Sequence, residues 1–122
     1  MIGGAKKTSK ERENKMVNAR EEFLEETKDK SVLCALITLD EYEEKKTFVL
    51  RVGYTQPELD AFILSLGFEY DNGYGGQNLF GIIWYSDGTW SDRYEYDGSE
   101  RWQFEKVPEI PKECAADTKE VA

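Results

Sequence analysis

The sequence predicts an α+β domain: an antiparallel sheet, made of a hairpin and a three-stranded meander, with one central helix and an N-terminal helix. Three observations carry this expectation. Asp-Gly pairs at Asp87-Gly88 and Asp97-Gly98 divide the aromatic run 79–106 into three strand-length pieces, and Gly tolerates the positive φ that tight hairpins demand. Thr55-Gln56-Pro57-Glu58 is a capping box with proline in the first turn, and the apolar stripe Leu59, Phe62, Ile63 and Leu66 follows it. Upstream, SVLCALITL (31–39) reads as a buried strand, and in TFVLRV (47–52) Phe48, Leu50 and Val52 alternate on one face.

Taken in order, residues 1–8 read as disordered and 9–28 as a helix capped by Ser9, with Met16, Ala19, Phe23 and Leu24 forming a narrow apolar stripe. This helix is polar enough to pack either on its own domain or on a partner. Residues 31–108 form the α+β domain and 109–122 a disordered tail. Within the domain, 40–46 is a charged turn, the central helix runs from Glu58 to Leu66, Gly67 ends it in a left-handed cap, and 71–77 is a Gly-rich loop.

A two-residue turn at Asp87-Gly88 places Tyr85 opposite Trp90, Ile83 opposite Asp92 and Gly81 opposite Tyr94. At the second turn, a two-residue loop opposes Tyr94 with Arg101. A three-residue loop opposes Tyr94 with Trp102 and Glu95 with Arg101, and these aromatic and opposite-charge pairs favour it. One face is then Leu79, Ile83, Tyr85, Trp90, Tyr94, Tyr96, Trp102 and Phe104, which reads as core. The other brings Trp84 beside Arg93 and Glu95 and reads as partly open. Strand 79–86 is apolar on both sides, so it is expected in the centre, covered on both faces.

Composition excludes much chemistry. With no histidine there is no His-based triad, metal trio or imidazole base. Cys34 is expected to be buried and inert, and Cys114 lies in a tail with no base near it in sequence. The acids 40–44 lack calcium-loop spacing. No catalytic residue, cofactor or metal is expected. Asp92, placed on the aromatic face by the register above, needs a polar partner there. No run approaches the roughly 20 apolar residues of a membrane span, no signal-peptide core is seen, and two distant cysteines fit a reducing cytoplasm.

The net charge of −9 is unevenly placed: residues 1–30 balance at +1 and residues 31–122 at −10. Such a domain is repelled by phosphate backbones and attracted to basic protein surfaces. Contact chemistry is expected from the loop residues Asp71, Asn72, Tyr74 and Gln77, and from Trp84 with Arg93 and Glu95.

The stretches YDNGYGGQNLFG, IWYSDGTW and EYDGSERW, between Glu69 and Trp102, resemble segments of small uncharacterised accessory proteins of bacteriophages and prophages, over about a third of the chain. The resemblance implies a host-takeover context and carries over no functional residue. The expected function is therefore a non-catalytic acidic interaction module, such as a phage-encoded inhibitor of a host nucleic-acid-handling or defence protein. The alternatives are a small-ligand or glycan-binding module and a minor virion component.

Overall fold

A computed structural model describes residues 16–41, 44–73 and 76–115. It is α+β, with two helices, a two-stranded sheet and a five-stranded antiparallel sheet among these residues. The elements are β1 (Met16–Asn18), α1 (Ala19–Thr27), β2 (Val32–Glu41), β3 (Glu44–Leu50), α2 (Gln56–Ser65), β4 (Glu69–Asp71), β5 (Leu79–Tyr85), β6 (Trp90–Tyr96) and β7 (Ser99–Glu105). The large sheet runs β3-β2-β5-β6-β7, so β5 is central as expected.

The first helix is shorter than the sequence suggests. The expected cap Ser9 lies outside the described residues, as does the segment 1–8. Met16–Asn18 is extended and pairs with β4, Val17 opposite Tyr70. Asn18 then caps α1 by accepting from the Glu21 backbone N–H at 3.0 Å. Of the expected stripe only Ala19 and Phe23 are buried, while Leu24 is exposed. Phe23 meets Phe62 of α2 edge-on at 5.5 Å, so the helix belongs to the domain core.

The capping box of α2 forms as the sequence requires: Thr55 Oγ1 accepts from Glu58 N at 3.3 Å, and Glu58 Oε1 accepts from Thr55 N at 2.8 Å. Gly67, by contrast, does not have positive φ. A Cβ there would lie 3.1 Å from the Arg20 guanidinium and 3.2 Å from Leu64 O, a tight fit that needs a small shift of its neighbours. The charged turn is also tighter than expected. β2 extends to Glu41 and β3 starts at Glu44, which leaves only residues 42–43, outside the described set, to connect them. The expected tail contains a 3₁₀ turn, Lys112–Cys114.

Both helices and β4 cover one face of the sheet, where Phe23, Ile37, Leu66, Tyr70, Leu79 and Ile83 are buried. Gly81 has φ +151°, and a Cβ on it would meet Leu36 O at 2.4 Å. Glycine lets β5 approach β2 there, rather than accommodating Tyr94 as the sequence register proposed.

Both hairpins of the meander correct that register. Tyr85 N bonds Thr89 O at 2.9 Å and Gly88 has φ +91°, so the first loop is the three residues Ser86–Gly88. Trp84 then opposes Trp90, Ile83 opposes Ser91 and Ile82 opposes Asp92. The second loop is the two-residue alternative: Asp97 and Gly98 have φ +54° and +84°, Tyr96 opposes Ser99, and Tyr94 opposes Arg101. This is the primed turn whose twist suits two strands. A one-residue shift sends every side chain of a strand to the other face. Trp90, Asp92 and Tyr94 therefore leave the expected core face, and Ser91 and Arg93 enter it. No helix among the described residues is long and apolar enough to cross a membrane.

Candidate functional site

Among the described residues, the second face of the five-stranded sheet carries no helix. Strand alternation puts Cys34, Leu36 and Thr38 of β2, Thr47 and Val49 of β3, Phe80, Ile82 and Trp84 of β5, Trp90, Asp92 and Tyr94 of β6, and Arg101, Gln103 and Glu105 of β7 on it. The 3.4 Å contact between the hydroxyls of Thr38 and Thr47 confirms the shared side. Leu36 is 44%, Phe80 41%, Trp84 37% and Tyr94 37% exposed. The expectation that β5 is covered on both faces is thus corrected: its outer residues face solvent. Cys34, expected to be buried, is a half-buried free thiol on this same face.

Polar groups sit within this apolar field. Trp90 opposes Trp84 on one side and Glu105 on the other. Asp92 follows on the same strand face and opposes Gln103. Burial among these neighbours raises the Asp92 carboxyl above its ordinary range, the Glu105 charge raises it further, and a hydrogen bond from Trp90 partly offsets both. Gln103 Nε2 donates to Glu105 Oε2 at 2.9 Å. The Arg101 guanidinium stacks on the Tyr94 ring, 4.6 Å from its centroid.

Of the described residues expected to make contacts, only Trp84 lies on this face; Asp92 and Cys34, expected elsewhere, lie on it too. Arg93 is on the opposite side, its side chain only 2% exposed. Its Nη2 donates to Glu100 Oε1 at 2.8 Å and to the Tyr70 hydroxyl at 2.7 Å, and its Nε donates to Leu79 O at 3.2 Å. Glu22 stands 3.9 Å from Nη1 and accepts the Tyr70 hydroxyl proton in a short hydrogen bond. The fully buried Glu100 carboxylate also accepts from Asn78 N at 2.7 Å and Leu79 N at 2.9 Å. Arg93 is therefore a structural centre that ties β4, β5, β7 and α1 together. Burial raises the pKa values of both Glu22 and Tyr70.

Glu95 does not join Trp84 either. It lies on the helix-side face near the end of β6 and accepts from Gly98 N at 2.8 Å, bracing the turn. Asp71 closes an Asx turn on Gly73 N at 3.0 Å, the Asn72 carbonyl accepts from Glu100 N at 2.8 Å, and Gln77 donates to Leu79 O at 2.8 Å. Tyr74 lies outside the described residues. These loop anchors gather at the Leu79 end of β5, whereas Trp84 is five residues along the strand, about 16 Å away. The expected joint surface of Trp84 and the Gly-rich loop is not assembled.

Acidic density is elsewhere again. Glu21, Glu22, Glu25, Glu26 and Glu69 line a cleft of about 660 Å³ on the helix side, floored by Trp102. No group of three or more Cys, Asp or Glu among the described residues has metal-holding geometry. The sequence reasoning missed Trp90, Asp92, Tyr94 and Glu105 as surface residues. Their signal was Ser91, a small polar residue that fits a buried position beside Tyr85, whose hydroxyl it meets at 2.7 Å. Comparison with protein-family models, curated proteins and solved structures gives no match.

Proposed function

We propose that this chain is a non-catalytic, acidic protein-interaction module that engages a basic protein surface through the open face of its sheet. The observation that carries the reading is the cluster of exposed apolar side chains in the middle of that face: Leu36, Phe80, Trp84 and Tyr94. Contiguous exposed apolar surface on a folded domain marks a contact site, and aromatic anchors dominate binding energy where they become desolvated. The net charge of −9 favours basic partners and steers their approach. An inhibitor that occupies the basic groove of a nucleic-acid-handling protein is the form of this function that the charge supports.

The test is capture from a cell lysate on immobilised protein, followed by mass spectrometry, with Trp84→Lys as the comparison. The reading expects a basic protein to be retained by the wild type, released as salt rises, and lost with Trp84→Lys although that variant unfolds at an unchanged temperature. Retention by Trp84→Lys overturns the open face as the contact surface, and retention independent of salt overturns the electrostatic part.

One observation favours a second reading. Trp84 and Trp90 adjoin Asp92, Gln103 and Glu105, so indole faces and hydroxyl acceptors stand together as in a sugar platform. Tryptophan fluorescence unchanged across a panel of mono- and oligosaccharides removes that reading.

A further inference from the structure

The polar notch in the open face joins two acids to two indoles. Asp92 and Glu105 are diagonal neighbours across β6 and β7; their side chains are hydrogen-bonded to each other, and the Glu105 charge helps to raise the Asp92 carboxyl. Their hydrogen-bond donors, Trp90 and Gln103, are neutral. Among the described residues neither acid is in an ion pair, and both ion pairs belong to Arg93 on the other side of the sheet. Arg101, the cation on the adjoining strand position, is stacked on Tyr94 instead. Two hydrogen-bonded acids beside two tryptophans, one of them 37% exposed, form an acidic notch on an apolar surface.

We propose that this notch receives an arginine side chain of the partner protein. A guanidinium is planar, so it can lie flat on an indole while its edge donates in a fork to carboxylate oxygens; an ammonium offers neither geometry. The Arg101–Tyr94 stack shows the same face already holding one guanidinium against an aromatic ring. An incoming arginine favours the charged form of both acids, releasing any proton they share to solvent, and gains cation–π contact with Trp84 and Trp90. The inference rests on the open face being the contact surface and names the chemistry that it reads.

The probe is the blocked tripeptide acetyl-Gly-Arg-Gly-amide, titrated into the full ¹⁵N-labelled chain while the indole N–H signals are followed by NMR. The proposal expects saturable shifts of the Trp84 and Trp90 signals. The buried Trp102 signal should stay fixed, which also reports that the fold is intact. The peptide with citrulline in place of arginine removes the charge and keeps the shape. It should bind at least about tenfold more weakly, as should the arginine peptide to the Asp92→Asn/Glu105→Gln variant. No movement of the Trp84 and Trp90 signals, or equal binding of the citrulline peptide, overturns the notch. An equal response to the lysine peptide overturns the choice of arginine. If the arginine peptide fails while Trp84→Lys still abolishes partner capture, the notch falls and the open-face function stands. If capture survives Trp84→Lys, that function falls itself.

Discussion

Replacing Arg93 with methionine keeps a long side chain and removes the cation paired with the buried Glu100. The two groups are 2.8 Å apart, with side chains 2% and 0% exposed. At an effective dielectric of about 20, their gross attraction is about 6 kcal/mol. Most of this offsets the loss of hydration, so the intact pair adds little relative to apolar packing, whereas one partner left alone costs about 3–5 kcal/mol. Glu100 would keep its two backbone donors, Asn78 N and Leu79 N. That places the expected loss near the lower end, about 3 kcal/mol, from a domain whose whole stability is about 5–15 kcal/mol. Urea unfolding followed by tryptophan fluorescence measures it. The double variant Arg93→Met/Glu100→Gln removes the stranded charge and should be more stable than Arg93→Met alone, with a coupling of about 1–3 kcal/mol. A single-variant loss below about 1 kcal/mol, or strictly additive losses, refutes the placement of Arg93 inside the fold.

Gly81→Ala forces a Cβ to 2.4 Å from Leu36 O at φ +151°, and overpacking plus backbone strain should cost about 2–6 kcal/mol by the same unfolding assay. Thr55→Ala removes half of the capping box of α2 and should cost about 0.5–2 kcal/mol, read as a lower unfolding midpoint with an unchanged urea dependence. Glu22 has its folded pKa raised by burial, so its stabilising contribution is complete below its unfolded value near 4.5 and is lost as pH rises through the folded value. Glu22→Gln should therefore gain stability relative to the wild type as pH rises from the unfolded value through the raised folded one, and a difference independent of pH contradicts this.

How far the sequence reached depends on how local each determinant is. The capping box needs only Thr55, Pro57 and Glu58, and it formed as read. The central place of β5 followed from its apolar residues on both sides, though among the described residues helices cover only one side. The register of β6 was not legible, because it turns on one residue of loop length. Counting aromatics inward placed Trp90 and Tyr94 in the core, but Arg93 decides the matter. Its partners Glu22, Tyr70 and Glu100 are dispersed along the chain, so no short window shows that an arginine is solvated by the protein itself. One clue was present: Glu100 is two residues before Trp102 in a strand, so an acid shares the face of a core tryptophan. The candidate site suffered most from the same slip. Trp84 was correctly placed toward solvent, but its neighbours on the face are Trp90, Asp92 and Glu105 rather than Arg93 and Glu95.

The central claim is that the uncovered sheet face is the contact surface. Hydroxyl-radical footprinting of the chain, free and bound to its captured partner, tests it residue by residue. The account requires protection of Leu36, Phe80, Trp84 and Tyr94 on binding, with Leu24 on the outer side of α1 oxidised equally in both states. Protection of Leu24 with Trp84 and Tyr94 unchanged would place the partner on the helix side and contradict the account.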